Sequence, residues 1–190
     1  MDRYFFALGL GPAFALGACG GSEPITTVDN IVAPDTILPG NGANVAAGAV
    51  ATTGQAFADT VGASNAYGME AGKLARQKAT APALRDLGGA MVRACAESTA
   101  GLGAAGARAR PAIVPDPRPS AGQAADLETL RQATGADFDA TYKAQQAAAQ
   151  EKVLAAVEDY AANGTVPALR AFAAKSVPEA RAQLDKVRGL

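Results

Sequence analysis

The sequence predicts an all-α protein: an antiparallel four-helix bundle with a long crossover that carries a short extra helix, preceded by a disordered tether. Three observations predict it. Alanine, the best intrinsic helix former, fills 48 of the 190 positions. Beyond residue 54, small and apolar residues recur at alternating steps of three and four, the spacing of one helix face. The turn signals fall so that two long helical hairpins flank a proline-rich stretch. Tryptophan is absent and aromatics make up only 5%, so Leu, Val, Met and Ala must build the core.

The N-terminus carries an address. Residues 4–16 form an uncharged, mostly apolar run, long enough for the h-region of a signal peptide and too short to span a bilayer. It ends in Leu16-Gly17-Ala18-Cys19, which resembles the lipobox of bacterial lipoproteins. The resemblance implies cleavage before Cys19 and diacylglycerol on its thiol, with acylation of the new amine as well. Several acyl chains on one residue anchor stably where a single chain is marginal. Gly20 follows the cysteine, in place of the aspartate linked to inner-membrane retention. The expected location is therefore the periplasm, anchored to the outer membrane of a Gram-negative envelope. An ordinary secretory signal whose cleavage site happens to precede a cysteine is the alternative, and the short n-region, with Asp2 offsetting Arg3, departs from the lipoprotein pattern.

Residues 1–18 read as signal peptide, 19–53 as lipidated cysteine and flexible tether, and 54–190 as the helical domain. The tether holds Pro24, Pro34, Pro39 and Gly40-Asn41-Gly42 without a sustained period, so it buries too little apolar surface to offset its ordering entropy. A helix over 55–79 places Phe57, Val61, Ser64, Gly68, Ala71 and Ala75 on one seam of small residues, which lets a partner approach closely. Thr80 is a candidate N-cap and Pro82 suits the first turn of a second helix. That helix carries Leu84, Leu87, Met91, Cys95, Ser98 and Leu102 on one side. The short link between the two forces an antiparallel hairpin.

Residues 101–122 break the pattern with Pro111, Pro115, Pro117 and Pro119, a long connection exposing Arg108, Arg110 and Arg118. A short helix over 126–133 follows, then a long one over 137–162 with Phe138, Tyr142, Ala149, Val153, Val157 and Tyr160 facing inward. Asn163-Gly164 reads as its C-cap pair. Thr165 reads as the cap of the last helix, which bears Leu169, Phe172, Val177, Leu184 and Val187 and contains Pro178. Proline there removes one backbone hydrogen bond and predicts a bend.

Charge and cysteine counts narrow the function classes. Net charge is −1, with positives scattered over the C-terminal two thirds, so no nucleic-acid partner is expected. Histidine is absent, which removes Ser-His-Asp and Cys-His nucleophile systems, HExxH proteases and every His-ligated metal centre. With Cys19 lipidated, Cys95 has no intrachain partner, and its place in the apolar stripe reads as a small buried core residue.

Four segments carry a family resemblance. Glu70-Ala71-Gly72-Lys73-Leu74-Ala75 is similar to an E-L-G-K-L-A segment, and Ala90-Met91-Val92 to an R-M-V step. The run from Thr134 to Tyr142 is similar to S-G-x-x-F-D-x-x-Y, and Phe172 to Pro178 to F-A-x-x-x-L-P. Together, over about residues 55–190, they resemble a bacterial family of unknown function whose members are described as predicted outer membrane proteins with a ferritin-like bundle. The resemblance makes the in-helix proline a family feature. It also implies Asp-His after the R-M-V step, Asp-His in the long helix and His in the last helix. This chain has Ala94-Cys95, Ala149-Gln150 and Gln183 there, so a metal bound through those family residues would have lost its ligands.

The expectation is a lipid-anchored envelope protein with a non-catalytic binding or structural role, without a cofactor. Its partners are the membrane, through the N-terminal lipid, and an envelope protein or ligand. The alternative is an envelope-stress or metal-handling ferritin-like protein whose carboxylate and cysteine site draws on Glu70, Cys95, Gln150 and Gln183. Glu70 enters because its height along the hairpin differs from that of Cys95 by only about one helical turn. Its plainer role is an i,i+3 partner for Lys73 on a wet face.

Overall fold

A computed structural model describes residues 42–190, with side chains from Thr53 onward. Leu16, Gly17, Ala18 and Cys19, and the tether up to residue 41, lie outside the described residues. Five helices make up the described chain: α1 (Gly42–Lys78), α2 (Pro82–Arg108), α3 (Ala121–Gln132), α4 (Gly135–Asn163) and α5 (Pro167–Arg188). No strand occurs among the described residues.

Helix α1 pairs with α2 and helix α4 with α5; α1 also packs on α4, and α2 on α5. The crossover from α2 to α4 runs over α1. Ile113 inserts into the core beside Phe57, Val166 and Leu169, and its N–H bonds the Gly106 carbonyl at 3.0 Å. Asp59 on α1 accepts the Asp116 N–H at 2.8 Å, and Gln55 donates to the Val114 carbonyl at 2.7 Å. The strap then enters α3, which packs on α1 and α4 through buried Leu127 and Leu130.

The expected stripes face inward. Phe57, Val61, Gly68, Ala71 and Ala75 are buried, as are Leu84, Leu87, Met91, Cys95 and Leu102, Phe138, Tyr142, Val157 and Tyr160, and Leu169, Leu184 and Val187. Ser64, Ser98, Ala149, Val153, Phe172 and Val177 sit half-buried at the margins.

Several boundaries and caps differ from the sequence reading. Helix α1 starts at Gly42, so residues 42–53 are helical rather than tether. The stretch is rich in alanine, and propensity extends a helix even where no seam marks a face. Helix α3 begins at Ala121, five residues before the expected start. Its start is written as a capping box: Ser120 Oγ accepts the Gln123 N–H at 3.3 Å while Gln123 Oε1 accepts the Ser120 N–H at 2.8 Å.

Neither threonine caps its helix. Ala81 and Val166 are the N-cap residues, each followed by proline at the first helical position. Thr80 turns away to Asp139 of α4, donating both its hydroxyl and its N–H (2.9 Å) to that carboxylate, which also accepts the Ala81 N–H at 3.0 Å. Gly164 ends α4 in an extended conformation, not the left-handed one a glycine cap usually takes. Glycine is needed there for space: a Cβ would lie 2.4 Å from the Tyr160 carbonyl oxygen and 2.5 Å from its ring. Helix α5 continues through Pro178.

Candidate functional site

Three of the four positions singled out from sequence meet in the interior. Cys95 of α2, Gln150 of α4 and Gln183 of α5 line one cavity, joined by Asn65 of α1 and Ser98 of α2. Helical spacing explains this, because each lies on the inward stripe of its own helix. Asn65, itself 5% exposed, donates through Nδ2 to Ser98 Oγ at 3.0 Å. Gly68 makes the approach of α1 to α2 possible here: a Cβ on it would fall 2.6 Å from the Cys95 sulfur.

Glu70 does not join them. It is exposed, and its carboxylate takes the Lys73 ammonium at 2.6 Å. Height along the helix placed it near Cys95, but azimuth decides the matter. Two residues beyond Gly68, which faces Cys95, the side chain is turned by about 200°.

The cavity measures about 40 Å³. A water molecule in the liquid occupies about 30 Å³, whereas small-molecule sites run to roughly 300–1,000 Å³. Ordered water is the guest this space fits. Burial pushes the Cys95 thiol up to about 11, so it stays protonated at neutral pH and the thiolate that ligates or attacks is scarce. With Glu179 at the rim, the groups a cation would find are a protonated thiol, three neutral amides, serine hydroxyls and one carboxylate. That is a weak donor set for a divalent ion. Among the described residues, no three of His, Cys, Asp and Glu gather as a metal-holding group.

Polarity continues beyond the cavity, where the sequence reading expected an apolar interior. Tyr67 and Tyr142 are 1% and 0% exposed, and Gln146 is 0% exposed. The Tyr67 hydroxyl donates to Gln145 Oε1 at 3.2 Å. Burial raises the Tyr67 phenol well above its usual value, and the Asp126 charge adds to this. Burial likewise raises Tyr142, with Tyr67 and Cys95 adding to it. The Gln146 amide lies beside the Tyr67 phenol and opposes part of its rise, yet no hydrogen bond of good geometry joins them. Among the described residues, neither end of that amide nor the Tyr142 hydroxyl has a hydrogen-bond partner. Each such group costs about 1–3 kcal/mol in desolvation. Gln146 falls on the inward seam between Tyr142 and Ala149, and that spacing is the signal that marks it.

A larger hollow of about 380 Å³ lies on the surface between α2 and α5 and shares Ser98, Ser176 and Glu179 with the interior cavity. Its charged residues are Glu97, Arg108, Lys175 and Glu179. Of these, only Arg108 stood out in the sequence, because charges on a wet helix face carry no periodic signature.

No helix among the described residues is long and apolar enough to cross a membrane. No curated protein and no solved structure matches the chain. Residues 40–190 match the model of the family described as Domain of unknown function (DUF4142), and the chain belongs to that family.

Proposed function

We propose that this is a lipid-anchored protein of the bacterial envelope, acylated at Cys19 and held on the periplasmic side of the outer membrane. In this reading the helical domain has a non-catalytic binding or structural role, and the tether carries it away from the bilayer. The single observation behind the anchor is Leu16-Gly17-Ala18-Cys19, set immediately after a short apolar run.

The pairing of α1, α2, α4 and α5, each against two neighbours with one long crossover between the hairpins, supports an antiparallel four-helix bundle of the ferritin-like kind. The non-catalytic reading is supported by the interior donors, which are amides, hydroxyls and a protonated thiol. They can hydrogen-bond but do not carry the charge that acid–base or metal chemistry draws on. The metal-handling alternative loses Glu70, which is exposed and paired with Lys73, and is left with Glu179 at the rim as its one carboxylate.

Mass spectrometry of the mature protein tests the anchor. The expected N-terminus is Cys19 carrying acyl mass, with the protein in the outer-membrane fraction. An N-terminus elsewhere, or an unmodified Cys19, overturns the proposal.

A further inference from the structure

We propose that the α2–α5 groove binds a short zwitterionic peptide, its free ammonium held by Glu97 and Glu179 and its free carboxylate by Arg108. This goes beyond the anchoring proposed above and does not depend on it.

The groove is polarised along its length. Ser98, Ser176, Glu97 and Glu179 gather at the end that meets the interior cavity. Arg108 ends α2 eleven residues beyond Glu97, which is about 16 Å along the helix. Between them the walls are small or apolar: Gly101, Ala104, Ala171 and Phe172. Phe172 lies against the bare face of Gly101, where a Cβ would come within 3.2 Å of the ring. The volume, about 380 Å³, falls in the range of small-ligand sites.

Among the described residues its charges take no ion-pair partner. Elsewhere on the surface Glu70, Asp116, Glu128, Glu158 and Glu151 each pair with a nearby Lys or Arg. The charged groups of Glu97, Arg108, Lys175 and Glu179 take part in none of those pairs. Lys175 and Glu179 stand four apart on α5 and still do not pair, in the lysine-first order that is the weaker one on a helix.

The hydroxyls suit the same orientation of ligand. Ser176 Oγ donates its proton to the Phe172 carbonyl at 3.0 Å, so its lone pairs remain to accept from an ammonium. Two carboxylates and that oxygen therefore line the cationic end, where Lys175 stands one residue from Ser176, and a guanidinium receives the anionic end. Extended chain advances about 3.3–3.6 Å per residue. Four residues thus cover most of the distance, and the arginine's own reach covers the rest.

Titration calorimetry of the full chain in detergent, with tetra-alanine as the probe, tests this. The result does not depend on whether Cys19 is acylated, so a failed anchor and a failed groove are told apart. The expected result is saturable binding that weakens about tenfold or more, a loss of about 1.4 kcal/mol, when the peptide is N-acetylated or C-amidated. The penalty for acetylation should vanish in Glu97→Gln/Glu179→Gln, and that for amidation in Arg108→Gln. Helicity and unfolding of each variant are checked alongside. No binding at millimolar peptide overturns the proposal. So do capped peptides that bind as well as free ones, or penalties that survive in the variants. Dependence on the carboxylate alone would point to the C-terminal tail of a protein and overturns it equally.

Discussion

The two hairpins of this domain look alike in outline and are held together differently. In the first, backbone meets backbone. A Cβ on Gly72 would lie 2.6 Å from the Gly88 carbonyl oxygen, and one on Gly88 would lie 2.6 Å from that of Gly72. Cys95 repeats the theme against Gly68. In the second hairpin, side-chain volume separates the helices: Leu169, Ala173, Ala180, Leu184 and Val187 of α5 are buried, with Val157 and Tyr160 of α4. Close approach gathers many weak dispersion contacts without large residues, but it depends on carbons that must be absent. Volume packing depends on carbons that must be present. The first hairpin uses its device at Gly68, Gly72 and Gly88, while Leu84, Leu87, Met91 and Leu102 fill volume elsewhere along it.

Substitutions can break or sharpen this contrast. The largest loss is expected in the second hairpin. Leu169→Ala removes a fully buried side chain and should cost about 2–5 kcal/mol in urea unfolding. Gly88→Ala comes next, with an overpacking cost of about 1–3 kcal/mol that outweighs the gain in helix propensity. A more stable Gly88→Ala protein would end the close-approach account. Gln146→Met acts where the hairpins meet and carries the opposite sign. It removes a buried amide without partners, so the denaturation midpoint should rise by the equivalent of about 1 kcal/mol. If stability falls instead, an ordered water already satisfies the amide. Gly103→Ala is the control for the first hairpin. Nothing lies within 4 Å of the added carbon, and stability should rise by about 0.5–1 kcal/mol.

The subtlest effect is read against pH. Hydrogen bonds from Thr80 hold the Asp139 carboxyl below its usual range, and the N–H of Ala81 and the charge of Arg85 lower it further. A lowered folded value means the charged form favours the fold. Its contribution is complete above the ordinary carboxylate value of about 3.9 and fades as pH falls through the folded one. Asp139→Ala should therefore lower the melting temperature at pH 7, and the gap to wild type should close below about pH 4. A gap that does not change with pH would assign the loss to packing instead.

Much of this was legible in the chain. Seam spacing marked Phe57 and Val61, Leu84 to Leu102, and Phe138 to Tyr160 as inward positions, because burial follows a period that the sequence carries. Cys95 lay on its seam, whereas Gln150 and Gln183 were marked by the family resemblance alone, and the three line one cavity. Three kinds of residue escaped. Gln146 sits in register with Tyr142 and Gln150, but its amide reads as polar and the period passes over it. Asp139 is the aspartate of the F-D-x-x-Y segment, but what it does there, securing a turn 59 residues away in sequence, leaves no local mark. Ser120 and Gln123 do leave one, as a capping box, inside a proline-rich stretch that reads as loop. Glu70 failed for a different reason: height along a helix is easily counted, while facing depends on which side packs.

The amine of Lys78 reaches beyond its own helix. It donates to the carbonyls of Leu130 and Arg131, among the last of α3, and stands 5.5 Å from the centre of the Phe138 ring. Beside the two leucines α3 buries and the bond from Gln145 Nε2 to the Asp126 carbonyl, this cation fastens the C-terminal end of the crossover helix to the hairpins. The attachment of α3 is therefore open to amine chemistry. Acetylating Lys78 would take away both the charge and two of its three donor hydrogens, loosening one strap of the molecule while the two hairpins kept their own contacts.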